Sequence, residues 1–182
     1  MAKSKALIKE QLQQFSRPEL IEIVLKMASK RHNYEFLLVN FIDPENGELT
    51  LFQEAKEDID KLSQKFFPGR TVQHQMVKRL NACVKRIREF TVETKSKKPE
   101  ADLIMYVLEM QFSYPERVFG ARFSGYDYKV ALLLKKLISL VTKKLHPDYL
   151  IDYQDKINSF LTQIHRTSNR INTVYDLPEY IE

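Results

Sequence analysis

The sequence predicts an all-α protein: an irregular antiparallel helical bundle or a right-handed stack of helical hairpins, with about seven or eight helices. Apolar residues recur at spacings of three and four along most of the chain, the signature of one helix face. Only four glycines are present, too few for the many tight turns of an all-β fold. The candidate helices are joined by short polar or proline-containing turns, which favour antiparallel neighbours. No repeat of fixed period is visible, so an irregular array is preferred to a regular solenoid. At 182 residues, 43% hydrophobic and 29% charged, the chain can bury a core as one domain over 1–182. Residues 1–42 are a candidate semi-independent helical subdomain, and 169–182 form a tail.

The elements follow in order. Leu7, Ile8 and Leu12 indicate a short helix over about 3–14. Ser16-Arg17-Pro18-Glu19 then reads as a capping box, with Phe15 and Leu20 placed as a hydrophobic staple, and opens a helix over about 17–30. Tyr34, Leu37, Leu38 and Phe41 predict a helix over about 33–42, stopped by Asp43-Pro44 and followed by the turn Pro44–Gly47. Phe52, Ala55, Ile59, Leu62 and Phe66 form one stripe of a helix that Pro68-Gly69 closes.

Over about 71–93 the pattern is most regular. Met76, Leu80, Cys83, Val84, Ile87 and Phe90 fall on one arc, and His74, Lys78, Arg79, Lys85, Arg86 and Arg88 on the other. After a polar loop at 94–99, residues 101–112 are apolar almost all round, as expected of a central helix. An aromatic-rich connection at 113–125 precedes a second apolar helix over 126–145. His146-Pro147-Asp148 interrupts it, and an amphipathic helix runs to about 167.

The segments LIKEQLQQFSRPELIEIVLKMASKRHNYEFLLVNF, FFPGR and ADLIMYVLEMQFSY together resemble a family of bacterial helical proteins known only as a domain of unknown function. The resemblance spans most of the chain and implies an all-helical fold, with no activity, substrate or functional residue to carry over. The ending TSNRINTVYDLPEYIE departs from the glycine- and tryptophan-containing end of that family.

Charge supplies the clearest functional hint. Nine basic residues (Arg70, Lys78, Arg79, Lys85, Arg86, Arg88, Lys95, Lys97, Lys98) stand against Glu89 and Glu93 between positions 69 and 98, while the rest of the chain is slightly acidic. Such a face can neutralise phosphates or meet an acidic protein; it is also what a solvated helix face looks like. Arg117, Phe119, Arg122 and Phe123 in the aromatic connection are candidate interface residues, or the plug at a bundle end.

Other motifs point to structure. His-Pro-Asp at 146–148 resembles the loop of J-domain co-chaperones but matches little else around it, and reads as a helix break in which Asp148 caps the next helix. The four histidines are dispersed, without metal-ligand spacing. Glu54, Glu57, Asp58 and Asp60 read as a solvated outer face rather than paired catalytic acids. Cys83, alone and on an apolar arc, reads as a buried inert thiol.

The expectation is therefore a non-enzymatic helical protein-interaction module with an unknown protein partner. The alternative is sequence-tolerant nucleic-acid binding through 69–98. No catalytic residue, cofactor or metal is expected. The absence of a signal h-region and of a long apolar run points to a cytoplasmic chain with no integral membrane segment.

Overall fold

In the computed structural model, residues 2–68, 71–121, 125–168 and 172–182 are described. Among them all regular structure is helical and no strand occurs, so the fold is an all-α helical bundle. No helix among the described residues is long and apolar enough to cross a membrane. The chain divides into two compact units, Met1–Leu49 and Thr50–Glu182.

The first unit holds α1 (Ala2–Leu12), α2 (Arg17–Ala28) and α3 (Arg31–Leu37). The capping sequence acts as its residues suggest: the Glu19 carboxylate accepts the Ser16 amide at 2.7 Å and the Ser16 hydroxyl at 2.6 Å, with Pro18 in the first turn, where no intrahelical bond is lost. Those hydrogen bonds hold the Glu19 carboxyl below its ordinary range. The Asn33 side chain donates to the Met27 carbonyl at the end of α2.

The third helix begins earlier than the expected residue 33 and widens into a π turn over Leu38–Ile42, where the Asp43 amide reaches back five residues to Leu38 O at 2.9 Å. Gly47 sits against this turn. A Cβ there would meet Leu38 O at 3.2 Å and Val39 Cα at 3.3 Å, backbone atoms that cannot rotate away.

Helix α4 (Gly47–Gln64) opens in the first unit and continues into the second. There it is followed by α5 (Val72–Thr94), α6 (Lys97–Phe112), α7 (Tyr126–Lys143), α8 (Leu150–Thr167) and the short α9 (Asn172–Tyr175). Helix α6 starts before the expected residue 101, because Lys97-Lys98-Pro99 forms its first turn rather than loop; proline there forfeits no intrahelical donor. Lys95 between α5 and α6 adopts φ 57°, a left-handed cap usually taken by glycine.

Helix α7 packs against α5, α6, α8 and α9. Its Leu134 and Leu137, together with Leu103, Ile104 and Leu108 of α6, Leu80 and Ile87 of α5 and Ile157 of α8, are fully buried. Each such side chain contributes about 1.5–3 kcal/mol of transfer free energy. The tail joins this unit: Val174, Leu177 and Ile181 are buried, and Asn158 of α8 accepts the Ile181 amide at 2.8 Å and donates to its carbonyl at 3.1 Å.

Candidate interaction surfaces

The structure divides the basic segment between paired and solvated cations. Lys78 donates to Pro68 O at 2.7 Å and Arg79 to Lys65 O at 2.9 Å, so both cations fasten the connection between α4 and α5. Lys97 pairs with Glu100 at 2.9 Å and Lys98 with Asp102 at 2.9 Å. Lys85 lies 3.8 Å from Glu89. Burial pushes the Glu100 carboxyl up, but hydrogen bonds from Lys136 and Lys97 outweigh it and leave it below the ordinary carboxylate range. Arg88 and Lys95 remain exposed with no ion-pair partner among the described residues. Arg70 lies outside those residues.

Arg86 corrects the sequence reading. It is 2% exposed and its Nε donates to Asp58 of α4 at 2.9 Å, so it is not on the solvated face. At about 100° per residue it stands only about 40° from Phe90, on the edge of the apolar arc. Helix α4 covers that edge and supplies the carboxylate. Asp58 and Asp60 are corrected with it: both are half-buried, Asp58 on Arg86 and Asp60 accepting the Tyr106 hydroxyl at 2.5 Å.

The aromatic connection is a plug. Phe112 stacks on Phe160 at 4.4 Å and on Phe119 at 5.4 Å, and Phe119 leans on Tyr126 at 5.3 Å. Phe119 is 5% exposed, which removes it from the candidate interface. Buried Asp127, at the start of α7, holds the plug by accepting the Gly120 amide at 2.8 Å and the Ser168 hydroxyl at 2.8 Å. Gly120 has φ 73°, a conformation glycine adopts without strain. Arg117 is exposed on the Glu116–Val118 turn; Arg122 and Phe123 lie outside the described residues.

A cleft of about 230 Å³ between α4, α6 and α8 is lined by Lys56, Asp102, Tyr106, Glu109, Tyr153 and Lys156, among others. Sequence reasoning did not single it out, because its residues come from three separate helices. Several of its polar groups pair with one another or with a neighbour. Tyr153 donates to Asp102 at 2.5 Å, Lys156 pairs with Glu109, and Lys56 lies 4.6 Å above the Tyr106 ring. The bond to Asp60 pushes the Tyr106 hydroxyl up to about 12, which keeps it a neutral donor.

The remaining motifs are structural. Burial raises the Cys83 thiol to about 11, and its Sγ lies 3.9 Å from Ile59 O. In His-Pro-Asp, the acceptor for the Asp148 amide is the His146 ring at 3.4 Å, so His146 rather than Asp148 supplies the side-chain cap. No cluster of three metal-ligating side chains occurs among the described residues.

Among the described residues, exposed apolar side chains are concentrated in the first unit, away from every predicted site residue in the sequence. On α1 and the turn after it, Leu7, Ile8, Leu12 and Phe15 are exposed; on α2, Ile21, Val24, Leu25 and Met27 are. No residue of α2 is buried. An open groove of about 570 Å³ is lined by Ile8, Leu12 and Leu20 with Lys5, Lys9 and Gln13 at its margin. Among the described residues of this unit, Leu38 is the one large apolar side chain that is buried. The signal was present in the sequence: at about 100° per residue, apolar positions cover roughly 200° of α2, more than one packed face requires. In comparisons with family models, curated proteins and solved structures, nothing matches this chain.

Proposed function

We propose that the chain is a non-enzymatic helical interaction module whose partner-binding element is the apolar surface of α1 and α2. The observation that carries this reading is a helix apolar over more than half its circumference with none of its residues buried. Contiguous apolar surface of this kind is unfavourable in water and marks a binding face. The second unit acts as the stable body that carries it. The basic segment is the weaker candidate, since among its described residues Arg88, Lys95 and the loosely paired Lys85 offer about three phosphate contacts and a salt slope of only about −3.

A photo-crosslinking residue placed at position 25, and separately at position 88, tests this in the native host. The expected result is a protein adduct from 25 and none from 88. Nucleic-acid adducts from 88, with none of protein from 25, would favour the nucleic-acid reading instead.

A further inference from the structure

We propose that the apolar face of α1 and α2 is a homodimerisation surface, covered in solution by the same face of a second copy of this chain. The proposal rests on the interaction reading above and names the occupant of its surface.

Area is the first argument. The eight exposed apolar side chains of this face retain between 37% and 64% of their accessible surface. At roughly 150–200 Å² for each full side chain, about 700 Å² of apolar surface is left per chain, spread over α1, the turn and about half the circumference of α2, so a second copy must seat a helix in the groove to approach the roughly 800 Å² each partner buries in a stable interface. A small ligand covers less. The groove is open and lies between two helices that make little contact with each other, which is the shape that admits another helix.

Charge is the second argument. The first unit contains seven basic and seven acidic residues, so two copies approach without net repulsion, although the whole chain carries +5. A two-fold interface is self-complementary, so each charge at its rim must find its opposite on the same chain. Lys5 and Lys9 flank the apolar stripe of α1. Glu22 borders that of α2 beside Leu25, at about 60° on the helix circumference. In the proposed contact Lys9 of one copy pairs with Glu22 of the other. A strongly acidic or basic partner gains nothing from a neutral unit, whereas a second copy matches it.

Sedimentation equilibrium of the full-length chain, from about 1 to 200 µM, reads the outcome. A reversible dimer with Kd at or below about 10 µM is expected. The double variant Ile21→Glu/Leu25→Glu should raise Kd about 100-fold or more, and Leu7→Glu about 10-fold, because each places a carboxylate in the apolar contact. All three side chains are exposed, and an unchanged far-UV spectrum verifies that the helices persist. Lys9→Glu should weaken the dimer severalfold and adding Glu22→Lys should restore it.

A monomer across the whole range overturns the proposal, and so does a dimer that survives both Ile21→Glu/Leu25→Glu and Leu7→Glu. The crosslink at position 25 separates this from the broader reading. An adduct to the same chain supports both. An adduct to a different protein overturns the second copy and leaves the interaction module; no adduct overturns both.

Discussion

The two units of this chain solve the same problem in opposite ways. In Thr50–Glu182, α6 and α7 are enclosed by their neighbours, and large side chains from five helices are fully buried. In Met1–Leu49, three helices form, α2 with a capping box, yet Leu38 is the single large apolar side chain buried among the described residues. Local signals are sufficient to shape a helix, but isolated helices of about a dozen residues are marginal until an apolar face is covered. The first unit therefore has secondary structure in excess of its core. What it lacks inside, it presents outside.

The largest expected effect comes from making one substitution in both units. Leu134→Ala, in the centre of α7, removes a fully buried side chain and should destabilise the second unit by about 2–5 kcal/mol. Leu25→Ala, at 64% exposure on α2, should change monomer stability by no more than about 0.5 kcal/mol. Urea unfolding at low protein concentration measures both. A loss above about 2 kcal/mol at Leu25 would break the contrast, because it would mean that α2 is packed within its own chain.

A second pair tests charge rather than apolar burial. Arg86→Ala leaves Asp58 beside an empty, largely buried site and should cost about 2–4 kcal/mol, at the low end of buried ion pairs because the Asp58 side chain keeps 21% of its surface. Arg88→Ala, two residues on and exposed, should stay within about 0.5 kcal/mol. Equal effects at both positions would refute the division of the basic segment into buried and solvated charge.

What could be read from the sequence follows the same line between local and distant causes. The helical class, the capping box at Ser16 and the burial of Cys83 depend on residues within a few turns of one another, and periodicity exposes them. Arg86 was misplaced because the group that draws it inward, Asp58, lies 28 positions earlier on another helix. Phe119 looked like a contact residue because its covers, Phe112 and Tyr126, meet it only when the connection folds back. The π turn at Leu38 was hidden for a similar reason: it widens where the backbone at Gly47 closes on it. The N-terminal face was missed differently. Apolar periodicity on α2 reads as core, and a sequence does not say whether a core will be built from the same chain.

A pH dependence seated in the second unit is small near neutrality and grows only at alkaline pH. The Cys83 thiol ordinarily loses its proton near 9.0, and burial raises it to about 11 in the fold. As pH rises through about 9 the unfolded chain releases this proton first, so the folded state binds more protons and stability declines toward pH 11. Below about 9 the contribution is complete. Tyr106, raised to about 12 by Asp60, adds a similar decline at higher pH, so the thiol is isolated by comparison with Cys83→Ala. That variant should show a flatter loss of stability between about pH 9 and 11 in urea titrations, whatever its stability at neutral pH. Amide exchange sharpens the comparison between the units. The altered slope should appear in the protected amides of α5, α6 and α7, while α2, which belongs to the other unit, should exchange alike in both proteins. If α2 followed the same slope, the two units would unfold as one, and the first would have to draw its stability from the core of the second.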